Sequence, residues 1–210
     1  MRLYTHTACL KHLPGPGHPE SPARLAAVLE SLDSDRFAAL DRIEAPRVTR
    51  AQLERVHAAA LIDEVLAAAP SEGFAQLDAD TTMSPDSLEA ALRAAGALCA
   101  AVDALIDGAE TRAFCAVRPP GHHATRDTAM GFCLFNNIAV GAAHALARGI
   151  KRVAIVDFDV HHGNGTQDIF ERDARVLYAS THQWPLYPGT GDAGETGIGN
   201  IVNAPLAPAA

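Results

Sequence analysis

The stretch VAIVDFDVHHGNGTQ, Val153 to Gln167, decides the fold class. Val153 to Val160 is apolar and β-branched apart from two aspartates, with the length and composition of a buried strand. Side chains alternate along a strand, so Asp157, Asp159 and His161 are expected on one face, with neighbours at i and i+2 roughly 6–7 Å apart. A strand that is apolar until its last turn and then offers Asp-x-Asp-x-His is costly to bury unless those groups hold a cation or one another. The competing reading makes the aspartates caps for a helix that begins near Asn164 to Thr166. Capping needs one such residue and leaves three in register unexplained.

Outward from this stretch, strand-like and helix-like segments alternate. Arg2 to Thr5 reads as an edge strand. Ser21-Pro22 opens a helix with serine at the N-cap and proline at the first helical position, and Leu25, Val28, Leu29 and Leu32 give it an apolar stripe. Thr49-x-x-Gln52 is a capping-box pattern before a second helix, and Leu61 to Ala69 reads as a third. Ser84-Pro85 repeats the serine-proline start and leads into an alanine-rich helix through Leu105 that stops at Gly108. Ala113 to Val117 is strand-like, and Asn137 to Arg148 is helical with Gly149 as its stop. Val176 to Ser180 and Ile201 to Val202 are further strands. Strands separated by helices of this length predict an α/β fold, a parallel sheet with helices on both faces. Ligands in such sheets bind at the carboxyl ends of the strands, where Asp157 lies.

With 210 residues and no evident linker, the chain reads as one domain, residues 1–210. The formal net charge of −8, with no run of Lys or Arg, gives no phosphate-tracking surface and argues against direct nucleic-acid binding. A cationic substrate is favoured instead. No stretch has the length and apolarity of a membrane span, and the start MRLYTHTACLKHL lacks the parts of a secretory signal, so cytoplasmic residence is expected. The four cysteines, Cys9, Cys99, Cys115 and Cys133, form no CxxC pair and read as reduced thiols, the last three in apolar surroundings.

More polar groups follow other strand ends. After the Ala113 strand, Arg118-Pro119-Pro120-Gly121 delivers His122 and His123. A His-His pair alone is commonly solvated surface. Here a second strand end carries the acidic triad, and the carboxyl edge brings the two sets together. Both histidines can act if each has its own partner, and Asp157 and Asn164 are the available pair: a carboxylate favours imidazolium and an amide does not. Gly131-Phe132-Cys133-Leu134-Phe135-Asn136-Asn137 precedes a helix, and for Phe135 and Asn137 core packing and an N-cap suffice. The loop from Ser180 to Gly191, rich in Gly, Pro and aromatics, is placed to wall a pocket.

Together, RPPGHHA (118–124), GFCLFNN (131–137), DFDVHHGNGTQ (157–167), STHQWPLYPGTGD (180–192) and the amino-terminal His18-Pro19-Glu20 with Arg24 resemble the zinc-dependent histone deacetylase family, which includes bacterial acetylpolyamine amidohydrolases and acetoin-utilisation proteins. Asn164, where other members have Asp, resembles the class II branch. The resemblance implies a three-layer, arginase-like parallel sheet and hydrolysis of an acetylated lysine or acetylated polyamine to acetate and free amine. By motif position it makes Asp159 and His161 ligands of Zn2+, His123 the general base, and His122 with Asp157 a supporting electrostatic pair. Phe132 and Tyr187 flank the acyl-lysine tunnel, Tyr187 replacing the more usual Phe, and Arg24 lies near its inner end. Asp157 and Ser180 correspond to a structural K+ site.

Two parts of the family's pattern are not in this sequence: a third zinc ligand, an Asp in a later segment, and a carbonyl-polarising Tyr in a later glycine-rich loop. The expectation is a chain truncated at the carboxyl terminus that binds zinc weakly and leaves an unpaired sheet edge, favouring aggregation or pairing with another chain. Asp192 and Glu195 are the nearest substitutes for the missing ligand. Two other functions are open: a non-catalytic binder of acylated amines, and an arginase-type dinuclear manganese hydrolase, against which the single Asp-x-His pair argues.

Overall fold

A computed structural model describes residues 1–208. Its first half runs β1 (Arg2–Thr5), α1 (Ala8–Lys11), α2 (Pro22–Leu32), β2 (Asp41–Glu44), α3 (Arg50–Leu53), α4 (Ala59–Ala67), β3 (Ala75–Asp78), β4 (Thr81–Met83) and α5 (Ser87–Ile106). The second runs β5 (Ala113–Cys115), α6 (Asn137–Ala147), β6 (Val153–Asp157), α7 (Asn164–Phe170), β7 (Val176–Gln183) and β8 (Ile201–Leu206). The parallel strands form two blocks, β2-β1-β5 and β6-β7-β8, and β3-β4 is a separate antiparallel hairpin.

β1 is therefore the centre of its block, with Leu3 and Tyr4 buried on opposite faces, and not the edge strand its position in the chain suggests. The outer strand is β2, whose sequence Asp-Arg-Ile-Glu carries too little apolar character to be read as a strand. Local signals do better at helix starts. Ser21 Oγ accepts from Ala23 N–H, and both halves of the Thr49–Gln52 capping box are formed. The helix expected after Ser84-Pro85 begins instead at Ser87, because Ser84 is engaged elsewhere: its hydroxyl oxygen accepts from Leu13 N–H. Likewise Asn136, and not Asn137, caps α6 through Ala139 N–H, while Asn137 donates to the Pro119 carbonyl.

The main core lies between α5, α6 and α7 and one face of the second block, where Ile155, Val176, Tyr178 and Ile201 are buried with Leu134, Phe135 and Val140. Burying each of these large apolar side chains contributes about 1.5–3 kcal/mol. The opposite face of that block bears Val156, Leu177 and Val202, all exposed. Among the described residues, β5 and β6 are not hydrogen-bonded to each other. A cleft of about 520 Å³, lined by Leu98, Ile138, Val156, Phe158 and Val160, lies beside β6. β6 and β8 are the outer strands of that block among the described residues. No helix among the described residues is long and apolar enough to cross a membrane.

Candidate active site

The turn after β5 is rooted by Arg118, whose guanidinium is fully buried. Its Nε donates to Glu20 at 2.6 Å and its Nη1 to the Cys9 carbonyl at 2.6 Å, while Nη2 reaches both Glu20 and the His12 carbonyl. Burial raises the Glu20 carboxyl pKa, but the hydrogen bond and charge of Arg118 outweigh it and leave the carboxyl below its ordinary range. A buried charge so fully partnered makes a rigid base for the residues that follow.

His122 and His123 sit on that base with ring centroids 4.0 Å apart, and they turn to different partners. His122 Nδ1 lies 3.0 Å from Asp157 Oδ2. The same carboxylate accepts from the Tyr178 hydroxyl at 3.0 Å and from Asp159 N–H at 3.1 Å. Burial pushes the Asp157 pKa up, yet His122 and these donors prevail and hold it below the usual carboxylate range. His123 Nδ1 lies 2.8 Å from Asn164 Oδ1. An amide oxygen only accepts, so Nδ1 carries the proton and Nε2 is left with a free lone pair. Burial first, and the neighbouring His122 second, push the His123 pKa down to about 4, which leaves it neutral at pH 7.

β6 ends at Asp157, so Asp159 and His161 do not continue its face as expected. Residues 158–163 turn instead, each aspartate accepting from the N–H two residues on: Asp157 from Asp159, and Asp159 from His161 at 2.9 Å. Asn and Asp favour such local bonds over a regular ladder, which is why the strand stops. The turn still brings Asp159 Oδ1 and His161 Nδ1 to 3.2 Å from each other. Neither aspartate caps α7, whose N-cap residue is Gly163 with no side-chain bond.

A cleft of about 710 Å³ opens beside both sets, lined by His122, His123, Asp159, His161, Phe132 and Tyr187 among others. The His161 ring is 5.9 Å from His123, and Tyr187 lies edge-on to both, at 6.1 and 5.1 Å. Phe132 takes φ 70°, the one positive φ outside glycine among the described residues, which costs about 1–2 kcal/mol. Its N–H donates to Thr81 Oγ1 and that of Gly131 to Asp80 Oδ1, each at 3.0 Å, so the β3-β4 turn holds the strained pair. Gly131 must be glycine twice over: its φ is 58°, and a Cβ would stand 2.5 Å from the His123 ring. Arg24 lines the same cleft, with its side chain 56% exposed and paired to Glu20, whereas the wholly buried guanidinium here is that of Arg118.

As donors, Asp159 and His161 fit one side of a zinc site. Catalytic zinc takes three protein donors and a water. No group of three His, Cys, Asp or Glu with metal-site geometry occurs among the described residues. Glu195 accepts from the N–H groups of Gly191 and Asp192, and Asp192 from Gly194, so the two suggested substitutes serve their own loop. Ser180 pairs in register with Asp157 and is buried, its hydroxyl 2.9 Å from His182 Nδ1. All four cysteines are free thiols, and burial pushes Cys133, behind His123, up to about 12.

Several supporting residues carry no motif-like signal. Buried His57 has Nδ1 2.9 Å from the Thr125 carbonyl and accepts from Asn136 N–H at Nε2, stapling the segment after His123 to the start of α6. Tyr178 looks like an ordinary strand aromatic until its hydroxyl is seen on Asp157. Asp80 and Thr81 lie in a short hairpin that the hydrophobic pattern does not reveal.

Residues 18–210 match the family described as "Histone deacetylase domain". An uncharacterized protein of Synechocystis sp. is 44% identical over 95% of this chain and 67% of its own length. The "Probable deacetylase" of Archaeoglobus fulgidus is 40% identical over 97% of this chain and 58% of its own. The "Histone deacetylase-like amidohydrolase" of Pseudomonas aeruginosa is 43% identical over 91% and 52%. The crystal structure of the HDA15 HD domain superposes with TM-score 0.92 at 39% identity, over 97% of this chain and 61% of that one. The chain thus spans about half to two thirds of the length of these relatives. A match over nearly all its residues, in sequence and in fold, places the chain in the histone deacetylase domain family.

Proposed function

We propose that this chain carries the acid–base half of a zinc-dependent deacetylase site, which releases acetate from an acetylated lysine or an acetylated polyamine in the cytoplasm. The observation that carries the reading is the unequal partnering of two adjacent histidines, His122 on Asp157 and His123 on Asn164, beside one cleft. His123, neutral with Nε2 free, takes a proton from the attacking water. His122, held by the Asp157 carboxylate at Nδ1, presents its other ring nitrogen to the same cleft and stabilises the anionic transition state by hydrogen bonding. Asp159 and His161 supply two donors to Zn2+, which when bound polarises the amide carbonyl and acidifies water. Phe132 and Tyr187 wall an acyl-lysine passage, with Arg24 on the same cleft. Asp157 and Ser180 form part of a K+ site that ties β6 to β7. The net charge of −8 suits a cationic amine product and disfavours nucleic acid as a partner.

The nitrogen shifts of the His123 ring test the base assignment without turnover. At pH 7 they are expected to show the neutral Nδ1–H tautomer. An imidazolium, or an Nε2–H tautomer, would remove His123 from the role.

A further inference from the structure

Tyr187 stands against His123 and His161, yet the loop that carries it is irregular. Its entry is tied to the turn after β6 and to β8, Gln183 N–H to the Val160 carbonyl at 2.9 Å and Trp184 N–H to that of Leu206 at 2.8 Å. Beyond that, the loop's exit falls to two histidines outside the acid–base set. His162 and His182 are each 1% exposed, with ring centroids 4.8 Å apart.

We infer that His162 and His182 are positioning residues, a clamp on Thr190-Gly191 that fixes Tyr187 on the cleft wall. His162 Nε2 lies 3.0 Å from Gln167 Oε1, an acceptor, which leaves Nδ1 to accept from the Thr190 hydroxyl at 2.8 Å. His182 Nε2–H donates to the Gly191 carbonyl at 2.9 Å, and its Nδ1 meets Ser180 Oγ. Glu195 closes the ring, accepting from Gly191 N–H at 3.1 Å and from Gln167 Nε2 at 2.6 Å. Gly191, at φ 95°, lies against both imidazoles: a Cβ there would be 2.5 Å from His182 Nε2 and 2.6 Å from His162 Cγ. The second half of the His161-His162 pair therefore faces away from the donor Asp159 and serves the loop. What the clamp does for a substrate rests on the deacetylase reading, whereas the clamp itself is independent of it.

The sole tryptophan, Trp184, sits in this loop and reports on it. Thr190 is exposed, so Thr190→Val removes the hydroxyl without disturbing the core. Exchange of the amides of Leu186, Tyr187, Gly189, Thr190 and Gly191 is expected to quicken about fivefold, the worth of one net hydrogen bond, with a matching rise in acrylamide quenching of Trp184. Thr190→Ser should restore both, and Gly191→Ala should loosen the loop as Thr190→Val does. Wild-type exchange and quenching in Thr190→Val, or a serine variant as loose as the valine one, would overturn the clamp. In the full-length protein, affinity for an acetyl-lysine peptide should fall in Thr190→Val and recover in Thr190→Ser. A loosened loop with unchanged affinity would overturn the positioning of Tyr187. Failure of the wild type to bind the peptide would count against the deacetylase reading alone, leaving exchange and quenching to decide the clamp.

Discussion

Replacing His123 by Ala in the full-length protein is expected to lower kcat for an acetyl-lysine peptide by about two to four orders of magnitude, the usual worth of a positioned general base. The reason lies in the ring's surroundings. Burial keeps it neutral, Asn164 fixes Nδ1–H, and Gly131 leaves the room in which the ring lies flat. Binding of the peptide should change far less than kcat, because Tyr187, Phe132 and the donor pair remain. A turnover number within a few-fold of wild type would transfer the base role elsewhere, and His122, 4.0 Å away, would be the first residue to test.

The second large effect is on metal. Asp159→Ala with His161→Ala should abolish zinc retention, since the double replacement removes both of the donors assigned to the metal. Both side chains are partly exposed, at 50% and 36%, so their loss should leave the core and the unfolding transition nearly unchanged. Stoichiometric zinc in the folded double variant would show that the metal is held elsewhere.

The site was legible where chemistry is written in side chains close together in the chain. Spacing and the carboxyl ends of the strands place Asp157, Asp159, His161 and the His122-His123 turn at one edge; His122, His123, Asp159 and His161 line one cleft, and Asp157 joins them through His122. A shared strand face does not align them, however: β6 stops at Asp157, and backbone N–H bonds to the two aspartates form the turn that follows. Such turns are decided by single side-chain bonds that compete with the strand ladder, and hydrophobic periodicity does not register them. The central place of β1 was illegible for a different reason. A four-residue strand shows no sign of how many neighbours it has, and its partner β2 is too polar to announce itself. His57, Tyr178, Asp80 and the His162–His182 pair depend on contacts between distant segments, which no local pattern encodes.

Release of acetate from an acetyl-lysine peptide by the zinc-loaded, full-length protein tests the central claim most directly. One acetate per free lysine is expected, abolished by removal of the metal and reduced in His123→Ala. No acetate above the rate of that variant, from wild-type protein shown to be folded and to hold its zinc, would contradict the account.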